Sequence, residues 1–468
     1  MKRVAAIDFL RALAIIGMVI SGQMIWHAEL PAWMFHGQLP PPTFAFNPAV
    51  PGITWVDLVF PFFLFSMGAA MPLALRRREQ KGAGWMQIAL SALHRFLWLA
   101  SFAIILGNTR MGRLTELAPW AAALMTLLVW GLFFAMFVRI PGWEAKRNSM
   151  LNWAGFVALI ALTMLYKPLF GIEVSLHQSD IIILILASMA LFGTLGWWFT
   201  RNSLVMRIVL ICGVALLKLS SSVEGSWCAW LWQQTPAEWL FRFEFMKYLC
   251  LVLSGTIAGD VIGQALKSGE IAEKKEGDSW SGPLTIALAL LMCALIITQL
   301  WGLFVRQVGQ TVLLSALLGC GSYLLLGRLN TAEKPLLKRL LSIGMVLLIL
   351  GLLAEPLEGG IKKDHATISY FFVTGGMATF VLIAALALEL RFGIRFKALE
   401  ACGANPMFAY TASSYLITPI AVLTTLSSAI EWFAGLGPWY AFGRGVIFAL
   451  LVIAVTWPMT RKNYYWKS

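Results

Sequence analysis

The stretch TWVDLVFPFFLFSMGAA, residues 54–70, is almost continuously apolar, yet it carries a carboxylate, Asp57, near its start. A charge at the edge of a membrane segment is costly and marks a functional site by default. The loop before it, 27–53, is long, aromatic and rich in proline, and it holds His27, His36 and Asn47. Histidine serves as a general base or nucleophile near neutral pH, and a carboxylate can orient it. His36 is therefore the candidate base or nucleophile, and Asp57 the candidate orienting group. As the alternative, Asp57 is a helix-start carboxylate favoured by the helix dipole. The prolines keep the loop from being helical throughout, which makes it a candidate lid or site wall.

Other polar groups stand near the ends of apolar blocks. Lys362, Lys363, Asp364 and His365 sit together in KKDHATISY. Asn405 lies in CGANPMFAY, where it either caps a helix or marks a broken helix lining a cavity. Asn47, Lys362, Asp364, His365 and Asn405 are the candidate substrate contacts. Arg76, Arg77 and Arg78 follow the second apolar block, as topology anchors or as ligands for phosphate groups. Asp8 and Arg11 are one helical turn apart and are expected to pair. Asp260 lies among small residues, in SGTIAGDVIG, that let helices approach closely. The sequence has no Walker motif, no GxGxxG and no HExxH, and no metal is expected.

These residues are set in an unusually apolar chain. Of 468 residues, 59% are hydrophobic and 13% charged, against about a quarter charged in soluble domains. The apolar residues come in blocks of about 17 to 22, the length that crosses a bilayer as a helix. The blocks fall near 9–26, 54–75, 86–106, 119–138, 149–166, 181–199, 204–220, 246–266, 283–304, 311–327, 340–354, 369–390, 402–423 and 441–458. The expected fold is all-α, a polytopic transmembrane bundle of roughly 11 to 14 spans, with membrane lipid as its surroundings. The six cysteines are scattered, without a CxxC, and read as small core residues.

The net charge of +13 would suit nucleic acid, but the cations cluster in short loops between apolar blocks, so no nucleic-acid partner is expected. They follow the positive-inside pattern: MKR at the start, 76–81, 138–147, 200–202, 267–278, 327–339, 390–397 and 461–467. These loops alternate along the chain, which places both termini in the cytoplasm. Arg110, Arg113, Lys362 and Lys363 are the exceptions, on the outer side. The Lys/Glu-rich segment 267–282 reads as a cytoplasmic linker between an N-terminal membrane half, 1–266, carrying His36 and Asp57, and a C-terminal half, 283–468. A homodimer is kept open as the assembly.

Four separated motifs, AIDFLRALAIIGMVISG, GITWVDLVFPFFLFSMGAAMPLAL, KKDHATISYFFVTGGMA and GANPMFAY, together resemble the heparan-α-glucosaminide N-acetyltransferase family, and most closely its bacterial relatives. The resemblance implies a multi-pass protein of the bacterial inner membrane. It implies acetyl-CoA as cytoplasmic cosubstrate and a sugar or glycan acceptor on the far side. It also implies a histidine in the loop between the first two spans as acyl carrier or base, near Asp57. In the family pattern that histidine lies about ten residues before the aspartate, where this chain has Asn47. His36 is then the preferred substitute, because the prolines of MFHGQLPPP would fold it back over Asp57, and Asn47 is a candidate donor to an oxyanion. The basic residues Arg76, Arg77 and Arg78 are the candidate contacts for the CoA phosphates. A secondary transporter of a sugar or related metabolite is the alternative, since interrupted helices and intramembrane charges also fit that class.

Overall fold

The computed structural model describes residues 4–271 and 281–467. The MKR start and most of the expected linker, 272–280, lie outside the described residues. The chain forms helices α1 (Ala5–Gln23), α2 (Trp55–Gln80), α3 (Trp85–Thr109), α4 (Pro119–Phe137), α5 (Ala145–Phe170), α6 (Ile181–Thr200), α7 (Leu204–Ser220), α8 (Trp227–Trp232) and α9 (Leu249–Ser268). Then follow α10 (Gly282–Phe304), α11 (Val308–Arg328), α12 (Lys334–Ala354), α13 (Ile368–Phe392), α14 (Lys397–Ala404), α15 (Pro406–Thr411), α16 (Thr418–Leu423), α17 (Leu426–Ala434) and α18 (Pro438–Arg461). The strands described are two-residue pieces, β1 (Val138–Arg139) and β2 (Tyr465–Trp466), paired antiparallel. The protein is an all-α polytopic membrane bundle. Among the described residues, 13 helical segments are long and apolar enough to cross a membrane.

Of the apolar blocks read from the sequence, 204–220 falls outside those 13. It forms α7, only 17 residues long, or about 26 Å at 1.5 Å per residue. It nonetheless runs from one end of the bundle to the other. Arg207 near its start bonds Asp260 in the last half of α9. Lys218 in its last turn lies over Trp232, and the helix packs on the turn that holds Lys247. Counting α7 as a crossing returns the chain to the end where it began.

Contacts between loops bear this out. Arg76 reaches the carbonyl of Arg201, Arg201 pairs with Glu79, Arg339 pairs with Glu270, and Phe396 stacks on Phe9. β1 after α4 pairs with β2 after α18. The described basic loops are thus gathered at one end, together with the described ends of the chain, hereafter the basic end. The cost of Lys and Arg in the apolar core keeps them in the loops, and their gathering at one end is the positive-inside pattern.

The two halves do not form separate bodies. α13 packs on α1, α2 and α9, and α14 and α18 pack on α1, within a single hydrophobic core. One close backbone approach is between α2 and α9. A Cβ on Gly255 would lie 2.4 Å from the Phe65 carbonyl oxygen, and one on Gly259 2.2 Å from that of Ala69. Small residues are what permit this backbone contact. Gly255→Val is expected to lower stability by about 1–3 kcal/mol or more through overpacking. Thermal unfolding in detergent checks this, with Gly213→Ala, where a Cβ meets nothing within 4 Å, as the near-neutral control.

The cysteine reading is half corrected. Cys228, Cys250 and Cys402 are buried, whereas Cys212, Cys293 and Cys320 lie on the outside of the bundle.

Candidate active site

His36 and Asp57 meet at the end of the bundle opposite the basic loops. The Nδ1 of His36 lies 2.7 Å from Oδ1 of Asp57. Asp57 is the third residue of α2, so its carboxylate can also serve the helix start. Its Oδ2 accepts from the backbone N–H of Thr54 at 2.9 Å and of Gly37 at 3.2 Å. Both readings of Asp57 therefore coexist: it caps α2 and holds His36. Asp57 is 1% exposed. Tyr370 on α13 donates to the Asp57 carbonyl at 2.5 Å and fixes the first turn of α2 from behind.

The loop is folded back by its own polar groups. The buried Gln38 amide donates to the carbonyls of Val50 at 3.0 Å and Gly52 at 3.3 Å. Thr54 Oγ1 donates to the Phe35 carbonyl at 2.6 Å. Gly37 is required, because a Cβ there would lie 2.8 Å from the Gly52 oxygen. Phe35 packs against Trp26 and Phe44 in a small aromatic cluster. His36 is thereby set on a pinned turn rather than a free loop.

An acceptor-only carboxylate at 2.7 Å requires a proton on Nδ1, which leaves Nε2 as the lone-pair nitrogen. This tautomer is assigned from the hydrogen-bond pattern. The ring lines a cavity of about 290 Å³, together with residues of α1 (Met18 to Gln23), α2 (Val56 to Phe60), Arg110, Lys363 and the segment Tyr410 to Tyr415.

The opposite wall was not anticipated. Arg110 pairs with Asp180, and Tyr410 donates to the same carboxylate at 2.9 Å. Burial opposes the charge on Arg110, but Asp180, Tyr410 and Tyr415 more than offset it and hold the guanidinium above its ordinary pKa. Tyr415 donates to the Leu106 carbonyl at 2.6 Å. Ser413, Ser414 and Tyr415 belong to a π-helical turn, Ala412–Ile417, between α15 and α16. Such turns recur at functional sites.

A family model covers residues 3–262, and its description is a domain of unknown function, DUF5009. That is more than half of the 468 residues. The chain belongs to this family. The DUF5009 segment supplies His36, Asp57, Arg110 and Asp180, whereas Lys363 and the Tyr410–Tyr415 wall come from beyond it. The site is thus shared by both halves rather than confined to 1–266. No curated protein matches the chain.

The remaining sequence candidates separate from this cavity. Asn47 Oδ1 accepts from the Ala49 N–H at 3.0 Å in a tight turn on the exposed loop, so it shapes the loop and does not face His36. Lys362 makes its hydrogen bonds through its backbone, to Thr367 Oγ1. His365 is exposed and gives its carbonyl to Lys247 at 3.5 Å. Asp364 lies 3.9 Å from Lys363 and outside the cavity lining. Lys363, not Lys362, reaches the histidine, with Nζ 3.2 Å from Nδ1.

Asn405 belongs to the basic end. It interrupts the helix between α14 and α15, as a broken helix, but its amide donates to the Tyr464 carbonyl at 3.0 Å and accepts from the Trp466 N–H at 3.0 Å. The amide is used to pin β2, which corrects the substrate-contact expectation.

A second cavity, of about 510 Å³, opens at that end. It is lined by Val4, Ile7, Asp8 and Arg11 of the chain start, by Ala70 to Arg77 of α2, and by Ala404 and Tyr465 to Lys467. Of the three arginines at 76–78, Arg77 lines it. Arg76 is engaged with Asp260 at 2.9 Å and Arg78 with Ser91 at 2.6 Å. Between the two cavities, Arg11 donates to the carbonyls of Gly403 at 3.0 Å and Ser66 at 3.3 Å, and pairs with Asp8 at 3.5 Å.

Proposed function

We propose that the protein is a membrane acyltransferase of the bacterial inner membrane, with both termini and the basic end in the cytoplasm. It moves an acetyl group from cytoplasmic acetyl-CoA to a sugar or glycan acceptor on the other side. The observation that carries this reading is the His36–Asp57 pair on the wall of the outer cavity. A buried carboxylate on Nδ1 leaves Nε2 to work as a base, the arrangement used for acyl transfer elsewhere.

In this reading Nε2 takes the proton from the acceptor amine or hydroxyl as that group attacks the thioester carbonyl carbon. The carbonyl π pair moves to oxygen. When that pair returns, the C–S bond breaks, and the CoA sulfur leaves with the proton held by His36. The basic-end cavity, with Arg11, Arg77 and Lys467 among its lining residues, suits a phosphate-bearing donor. It and the outer cavity share α1 and α2 as walls, so the contact of Arg11 with Gly403 and Ser66 must open for the acyl arm to pass.

Purified protein with radiolabelled acetyl-CoA and a panel of amino sugars tests the reading. Label is expected on an acceptor sugar. Labelled protein that passes its label to the sugar would add an acetyl-histidine intermediate. No binding of acetyl-CoA would remove the enzyme reading. The two end-facing cavities also favour a second reading, a secondary transporter of a sugar or related metabolite. Counterflow of an unmodified sugar in proteoliposomes, independent of acetyl-CoA, would select it.

A further inference from the structure

The outer cavity has one cation, Lys363, whose ammonium is at ion-pair distance from one carboxylate, Asp364, but donates no hydrogen bond to it. Arg110 faces the cavity but is paired with Asp180. Lys363 also lines it, with its side chain 28% exposed. Its nearest polar neighbour is Nδ1 of His36, at 3.2 Å. That nitrogen already spends its proton on Asp57 and has no lone pair to accept another. Asp364 stands at 3.9 Å, beyond hydrogen-bond length. Among the described residues, no other acceptor lies within 3.5 Å of Nζ. An ammonium with three donors and no acceptor is held beside the ring that the proposed chemistry uses.

Its position is enforced by the backbone. His365 and Ala366 have φ of 62° and 39°, and Gly360 has φ of 113°. Left-handed backbone is disfavoured for non-glycine residues and persists where their surroundings impose it. Here the Glu358 carboxylate accepts from the N–H groups of Ile368 and Ser369 at 2.8 and 2.7 Å. Thr367 Oγ1 bridges Lys362 and Tyr370. The Ile361 carbonyl accepts from Gly52 N–H at 2.8 Å, which ties this turn to the loop that carries His36.

We propose that Lys363 is the anion-binding donor of the outer cavity, and that it takes the oxygen on which charge develops during transfer. The catalytic half of this statement rests on the acyltransferase reading; the anion-binding half does not. As the acceptor attacks, the carbonyl carbon becomes tetrahedral and its oxygen takes the π pair. The Lys363 ammonium donates to that oxygen and keeps its own proton, and the oxygen returns the pair when the C–S bond breaks. A fixed cation placed where charge appears is worth more than one recruited during the reaction.

The test uses Lys363→Met and Lys363→Arg in the full-length protein, with two readouts. The first is binding of acetate, followed by saturation-transfer NMR. The second is steady-state acetyl transfer. Lys363→Met is expected to weaken acetate binding at least about tenfold and to lower kcat about 10²–10³-fold, the range for loss of one oxyanion donor. KM for acetyl-CoA should change little, and Lys363→Arg should recover part of both losses. Wild-type transfer with kcat unchanged in Lys363→Met overturns the catalytic role. Acetate binding equal in wild type and Lys363→Met overturns the proposal as a whole. Lys363-dependent acetate binding without any transfer would remove the acyltransferase reading and leave Lys363 as the anion donor of a binding site.

Discussion

Asp57→Asn is expected to lower acetyl transfer about 10²–10⁴-fold, the range for loss of a working general base, with the protein still folded. The reason lies in the donors around the carboxylate. Thr54 and Gly37 both present N–H groups to Oδ2, so an asparagine must turn its carbonyl oxygen toward them. Its NH₂ then faces His36 Nδ1 and donates to it. The ring is forced to carry its proton on Nε2, and the nitrogen left for the cavity is no longer a base. Geometry is retained while the tautomer is wrong. His36→Ala should cost at least as much. Steady-state rates with labelled acetyl-CoA check both, and a rate within about threefold of wild type in either variant would be too small a loss for general base catalysis.

The largest stability loss is expected at Asp260. Its carboxylate accepts from Arg207 at 2.7 Å, Arg76 at 2.9 Å and Trp197 Nε1 at 3.1 Å. The Arg207 side chain is 3% exposed. Asp260→Ala leaves two guanidinium groups facing each other without their shared anion, one of them buried. Breaking a buried pair on one side costs about 3–5 kcal/mol. Thermal unfolding in detergent should show a large drop. The double variant Asp260→Ala with Arg207→Met should recover part of it, because the buried uncompensated charge is then gone. If the single and double variants melt together, the cluster contributes through packing and not through charge.

The fold was legible because hydrocarbon imposes a simple code of apolar length and loop charge. Even α7, only 17 residues long, was visible as an apolar block. The pairing of His36 with Asp57 was legible from the prolines, although the hydrogen bonds of Gln38, Thr54 and Gly37 complete the turn. The opposite wall was missed because it is assembled across long separations: Arg110 and Asp180 are 70 residues apart, and Tyr410 is 230 beyond Asp180. One signal was present. Arg110 and Lys363 are among the cations that break the charge asymmetry of the loops, as Lys167, Arg242 and Arg306 also do, and both line the outer cavity. A cation on the unfavoured side of a membrane protein needs a reason, and here that reason is the site. Asn405 was read as a helix cap or a helix break; the break is what forms, and sequence could not show that β2 returns to use its amide.

Transfer between the two ends is the central claim, and sided proteoliposomes test it most directly. Protein would be reconstituted with labelled acetyl-CoA sealed on the basic-end side and an amino sugar supplied only on the His36 side, with orientation fixed by trypsin access to the exposed basic-end loop 140–147, which carries Lys146 and Arg147. The account predicts acetylated sugar on the His36 side, CoA retained with the donor, and no product from Asp57→Asn. Acetylated sugar formed only when donor and acceptor share a compartment, or unmodified sugar crossing at a rate indifferent to acetyl-CoA, would contradict it.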